Sequence, residues 1–149
     1  MIKETVTYTD FNGEEKTEDL YFNLSRAELL RYNLSQEGGF EGALKRILGL
    51  SDTDSVSENN QELVNNMDAD KLTQLFDWVE WFIGISYGIK TDDGRFVKSE
   101  KIKEEFLSSE AYSELLMKLA TNPSKANEFS RGIIGEASKG LANAFKRVK

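Results

Sequence analysis

The stretch from Lys71 to Gly88, KLTQLFDWVEWFIGISYG, constrains the fold more than any other part of the chain. At 3.6 residues per turn, Leu72, Leu75, Phe76, Val79, Phe82 and Ile83 fall on one stripe, the spacing of a buried helix face. Trp78, Trp81 and Ile85 make a second apolar ridge beside it, leaving Thr73, Asp77, Glu80 and Gly84 as a narrow polar side. Apolar side chains thus cover roughly two-thirds of the circumference, against the ~100° stripe of an ordinary surface helix. A face this wide must be enclosed by its own domain or shared with another chain. The expectation is that the Leu72–Phe76–Phe82 stripe is core, and that the ridge meets an N-terminal hairpin or a second subunit.

That hairpin is predicted between Thr5 and Leu24. Two β-rich segments, Thr5–Thr9 and Lys16–Phe22, flank Asn12-Gly13, the signature of a type I′ turn with positive φ at both central residues. Ser25-Arg-Ala-Glu28 then forms a capping box, with Leu24 and Leu29 at the staple positions, and opens a short helix that Gly38-Gly39 ends. Phe40, Ala43, Leu44, Ile47 and Leu48 mark a second helix, and Ser51–Asn66 is a polar loop. Asp68 is placed to cap the central helix. Beyond that helix, Asp93-Gly94 between Ile89 and Phe96-Val97 predicts a small second hairpin. Ser99 caps a helix with Ile102, Phe106 and Leu107, and Ser108-Ser109 starts another with Tyr112, Leu115, Leu116 and Leu119. Asn122-Pro123 opens a last helix carrying Ala126, Phe129 and Ile133. The fold class expected is mainly α with a small β component: the hairpin packed on a bundle of short helices around one central helix. Residues 1–135 form one acidic domain with a polar loop at about 51–67, and 136–149 form a basic amphipathic tail.

Composition narrows the chemistry. With no histidine and no cysteine among 149 residues, the His-dependent nucleophile pairs, thiol chemistry and the usual zinc ligands are all missing. Asp52 and Asp54 begin an EF-hand register, but it continues with Val56, with Ser57 where glycine is needed, and with Leu63 where the bidentate glutamate belongs. Gly135–Gly140 has the glycine spacing of a phosphate loop, yet Leu141 and Ala142 stand where Lys and Ser/Thr are required. The expectations are no enzyme, no cofactor and no metal. No apolar run approaches the ~20 residues of a membrane span, and Met-Ile-Lys-Glu-Thr-Val lacks a signal-peptide core, so a cytoplasmic setting is expected.

The net charge of −7 is unevenly spread. Ala137–Lys149 holds Lys139, Lys146, Arg147 and Lys149 with no acid; removing that +4 leaves −11 on the first 136 residues. An acidic body repels nucleic acid and anionic lipid, so neither is expected as a partner. The tail keeps Leu141, Ala144, Phe145 and Val148 at helical spacing and suits an acidic, apolar groove on its own body or on a neighbouring copy. The residues expected to serve partner contact or self-association are therefore Trp78, Trp81, Ile85, Leu141, Phe145, Lys146 and Arg147. For the two tryptophans, plain core packing competes with that role.

The opening KETVTYTDFNGEEKTEDLYFNLSRAELL and the block SYGIKTDDGRFVKSEKIKEEFLSSEAYSELLMKLATNPSKANEFSRGII resemble the tail assembly chaperones of long-tailed, non-contractile bacteriophages (siphophages) of Gram-positive hosts. The resemblance implies a largely helical, self-associating protein of the host cell cytoplasm. It implies binding to the tape measure protein, help in recruiting tail tube subunits, and absence from the finished virion. A competing expectation from charge alone is an acidic mimic of nucleic acid that inhibits a host DNA-binding protein. That reading needs the carboxylates arrayed on one face.

Overall fold

The computed structural model describes residues 1–35, 39–50, 65–122 and 124–133. In chain order the elements are β1 (Ile2–Thr9), β2 (Glu15–Phe22), α1 (Arg26–Ser35), α2 (Gly39–Leu48), α3 (Ala69–Ser86), β3 (Tyr87–Lys90), β4 (Phe96–Val97), α4 (Glu100–Leu107), α5 (Glu110–Ala120) and α6 (residues 124–133). Residues 51–64 of the polar loop and the whole basic tail fall outside the described residues.

The expected hairpins both form, and they are parts of one sheet. The four strands run in the order β1-β2-β3-β4, each antiparallel to its neighbour. The join is short: Tyr21 pairs with Gly88, and Phe22 with Tyr87. Even-numbered residues of β1 turn toward the helices, where Val6 is buried, and odd-numbered residues face solvent. On that outer face Thr5 donates to Asp19 at 2.7 Å and Thr7 shares a hydrogen bond with Thr17 at 2.9 Å. On the inner face the Tyr8 hydroxyl donates to the Glu18 carboxylate, which pushes its pKa up to about 12.

The first turn departs from the type I′ expectation. Gly13 has φ 82°, but Asn12 does not have positive φ. The reason lies in Asp10, whose carboxylate accepts from the amides of Asn12 and Glu14, both at 2.9 Å. It closes a longer loop that needs only one left-handed residue. The second hairpin repeats the device. The Thr91 hydroxyl accepts from the Arg95 amide at 3.0 Å, and Gly94 carries φ 85°.

Helix starts follow the local code. Asp68 accepts from the Lys71 amide at 2.9 Å, Ser99 from Ile102 at 3.1 Å, Ser109 from Tyr112 at 3.2 Å and Asn122 from Lys125 at 3.2 Å. The end of α3 does not follow the sequence expectation. The helix stops at Ser86, and Tyr87-Gly88 pass directly into β3. The Ser86 hydroxyl turns back to the Phe82 carbonyl at 2.7 Å, and the Tyr87 backbone becomes extended to pair with Phe22.

Gly88 is fixed by what lies over it. A Cβ there would come within 2.7 Å of the Phe96 ring and 2.8 Å of the Val97 carbonyl oxygen. The carbonyl oxygen is backbone, so moving the Phe96 ring alone does not relieve the clash. Gly88→Ala is expected to destabilise the fold by about 1–3 kcal/mol, the usual cost of overpacking. A urea midpoint indistinguishable from that of the wild type would show that the sheet yields there.

The core is one cluster running from Val6 to Ile133. Phe22, fully buried, sits at its centre with ring centroids 5.6 Å from Tyr87, 6.2 Å from Phe106 and 5.0 Å from Phe129. From α3, Leu75, Trp78, Val79, Phe82 and Ile83 are buried, Leu72 is half-buried, and Phe76 is 37% exposed. The buried face is thus rotated from the expected stripe, gaining Trp78 and losing Phe76. On the enclosed side Trp78 stacks on Phe82 at 5.7 Å, and Phe82 meets Phe129 of α6 at 6.0 Å. In α2, Leu48 is buried and Ile47 half-buried; the side chains of Phe40, Ala43 and Leu44 lie outside what is described.

Candidate functional site

Where α3 turns away from the core, its exposed side meets α4 across a groove of ≈ 270 Å³. The lining is Asp77, Glu80, Trp81, Gly84 and Ile85 from α3, with Lys103 and Leu107 from α4. A second hollow of ≈ 230 Å³ shares Gly84, Ile85 and Lys103 with it and continues past Tyr32, Tyr87 and Lys98. Together they form one surface running along the C-terminal half of the central helix.

Spacing explains the composition of the groove. Asp77, Trp81, Gly84 and Ile85 recur at intervals of three and four, so one helix side carries an acid, an indole, a gap and a branched aliphatic in succession. Gly84 supplies the gap, and the Lys103 stem lies across it: a Cβ at Gly84 would stand 3.3 Å from Lys103 Cδ. Trp81 is half-buried, with the Tyr32 ring set perpendicular to it at 5.6 Å. Lys103 is paired with Glu100 at 3.3 Å. Below the rim the Tyr112 hydroxyl is buried and makes no well-formed hydrogen bond among the described residues; burial first, and then the charge of Glu80, push its pKa up to about 12.

The far end of the surface is fastened by Lys98. Its ammonium reaches both carboxylate oxygens of Glu28, at 3.0 and 2.9 Å, and the Ile85 carbonyl at 2.9 Å. Glu28 is at the same time the return partner of the capping box. It accepts from the Ser25 amide at 3.0 Å while Ser25 accepts from the Glu28 amide at 3.1 Å. One cluster therefore ties the start of α1, the end of α3 and the chain after β4. Desolvation works against ionisation of Glu28, but Lys98 and the Ser25 amide outweigh it and hold its pKa below the ordinary 4.5.

This sets a pH dependence. A carboxylate with a lower pKa folded than unfolded stabilises fully above the unfolded value, and that contribution is lost as pH falls through the folded value. Glu28→Gln keeps a capping-box side chain and removes the charge. At neutral pH the variant is expected to be less stable by about 1 kcal/mol or less, since water screens this part-exposed pair. The deficit should shrink as pH falls below 4.5. Denaturant titrations across the acid range check this; a deficit unchanged down to about pH 3 contradicts it.

The expected contact residues fare unequally. Trp81 and Ile85 come together in the groove. Trp78 lies apart from them: it is 8% exposed and stacks on Phe82 at 5.7 Å, inside the core. Its indole N–H is buried without a hydrogen-bond partner among the described residues. Leu141, Phe145, Lys146 and Arg147 lie outside the described residues. Sequence reasoning missed Tyr32, Lys98, Lys103 and Leu107 as neighbours of the ridge. Lys98 and Glu28 are 70 residues apart, and no local pattern signals their meeting.

Carboxylates occur on several elements: Glu15, Glu18 and Asp19 on the hairpin, Asp70, Asp77 and Glu80 on α3, and Glu100, Glu104 and Glu105 on α4. Others, among them Asp10, Glu28 and Glu4, are engaged by lysines. Among the described residues no cluster of three or more potential metal ligands forms, and no helix is long and apolar enough to cross a membrane. An indole wall, aliphatic flanks and an acidic rim are the means to grip a helix or peptide of complementary character.

The model of the phage tail assembly chaperone family matches residues 1–137, which covers every groove-lining residue. The chain belongs to the phage tail assembly chaperone family. No curated protein and no solved structure matches it.

Proposed function

We propose that this chain works in the host cytoplasm as the assembly chaperone of a siphophage of a Gram-positive host. In this reading it self-associates, holds the tape measure protein, helps recruit tail tube subunits around it, and is left out of the finished virion. Its role is binding, with no catalysis and no cofactor. The observation that carries the reading is the Trp81–Ile85 groove on a member of the tail assembly chaperone family. A tape measure is a long, helix-rich chain that exposes apolar faces until the tube encloses it. A protein that coats it needs apolar grooves and enough charge to stay dispersed, and the groove and the net charge of −7 supply both.

Co-expression with the tape measure protein of the same phage is the direct test. The tape measure is expected to be retained on the tagged chaperone, and light scattering of the purified chaperone is expected to show more than one copy. A strict monomer at high concentration that also fails to retain the tape measure refutes the proposal.

A further inference from the structure

We infer that the hairpin tip at Phe11 inserts into a hollow at the far end of β1 on a second copy of this chain, joining copies head to tail. Phe11 is the most exposed large apolar side chain among the described residues. The loop that carries it is tightly held. Besides accepting from the amides of Asn12 and Glu14, the Asp10 carboxylate pairs with Lys16 at 2.9 Å. The Asp10 amide donates in turn to the Glu14 carbonyl at 2.8 Å. Behind the tip, Glu15–Asp19 of β2 are all exposed, and β3 pairs with β2 only at Tyr21 and Phe22. An aromatic ring fixed in place on a projecting arm is preorganised to enter a partner, which lowers the cost of binding.

The hollow, of ≈ 350 Å³, is walled by Ile2, Leu119 and Phe129. A cavity of about 150 Å³ already takes a benzene ring, so a phenyl side chain has room here. Charge selects this hollow over the others. The tip brings exposed Glu14 and Glu15 beside Phe11. In the hollow Lys118 and Lys125 balance Glu4 and Glu128; Lys118 is paired with Glu4 at 3.3 Å, and Lys125 makes no ion pair among the described residues. The Trp81–Ile85 groove instead sets Asp77 and Glu80 against the tip, and in the hollow beyond it Lys98 and Lys103 are already paired with Glu28 and Glu100. Two tips brought together would oppose their own glutamates. Nor can tip and hollow meet within one chain. Ile2 begins β1 and Thr9 ends it, and an eight-residue strand spans about 23 Å. β1 is paired with β2 along that whole length, so it does not fold back. The hollow that receives the tip therefore belongs to another copy, and each contact leaves a tip and a hollow open at the two ends of the pair. Such a heterologous contact repeats into a ring or an open row. It deepens the self-association of the proposed function, and its use along a tape measure rests on that reading.

The chain has no cysteine, so two introduced thiols report on this contact alone. Asn12→Cys lies beside Phe11 and Glu128→Cys lies at the hollow, and both positions are exposed. Under mild oxidation of the purified full-length chains, the two variants mixed are expected to form a tip-to-hollow disulfide at least tenfold faster than either pairs with itself. A chain carrying both substitutions is expected to give a covalent ladder extending beyond the dimer. Adding Phe11→Asp should slow bond formation at least tenfold. Self-pairing of Asn12→Cys as fast as the mixed reaction puts the tips against each other and overturns the inference. So does a mixed rate that Phe11→Asp leaves unchanged, the behaviour of random collision. No tape measure enters this readout, so a failed contact between copies that still retain the tape measure is told apart from failure of the proposed function.

Discussion

Phe22→Ala is expected to cost about 3–5 kcal/mol of folding stability, the range for truncating a buried phenylalanine. For a chain of this size that is a fall of roughly 10 °C in melting temperature. The residue is fully buried and meets Tyr87, Phe106 and Phe129, which come from β3, α4 and α6. Its removal leaves a cavity where β3, α4 and α6 converge on β2. Phe76→Ala is the control. The Phe76 ring is 37% exposed, so removing it should cost far less than Phe22→Ala. Urea unfolding followed by circular dichroism separates the two, and equal losses would contradict the rotated core face.

Trp81→Asp is expected to weaken binding of the tape measure protein, and self-association through the same surface, by roughly 30-fold or more. That is the effect of losing an aromatic hot spot of about 2 kcal/mol. The fold should survive, because Trp81 is only half-buried. Trp81→Phe should retain most of the binding. Titration of the purified chain with tape measure fragments gives the affinity, and far-ultraviolet circular dichroism verifies the fold. Unfolding of the Asp variant would make Trp81 a core residue first, and unchanged affinity would move the binding surface elsewhere.

What the sequence disclosed and what it hid divide along the range of the interactions. The caps at Asp68, Ser99, Ser109 and Asn122, and the box between Ser25 and Glu28, were legible because donor and acceptor are three residues apart. The hairpins were legible from their glycines and alternating strands. The union of the two hairpins was not, since it depends on Phe22 meeting Tyr87 across 65 positions. Helical periodicity gave the width of the apolar face on α3. It could not say which part would be enclosed, because that depends on which elements pack against the helix, and so Trp78 is buried where Phe76 is exposed. The turn at Asn12 failed differently. A side chain two residues upstream, Asp10, selected another loop. For the candidate surface, Trp81 and Ile85 were visible as a ridge, whereas the wall opposite them, Lys103 and Leu107, required the packing of α4.

The passage from α3 to β3 without a connecting loop has a mechanical consequence. Ser86 ends the helix and Tyr87 begins the strand, held by the backbone bond from the Asn23 amide to the Ser86 carbonyl at 2.8 Å. No slack separates the groove from the sheet. The central helix and β3 are thereby one continuous piece, joined to β2 by the pairs Tyr21–Gly88 and Phe22–Tyr87. Phe11, 78% exposed, stands at the opposite end of the hairpin from that join.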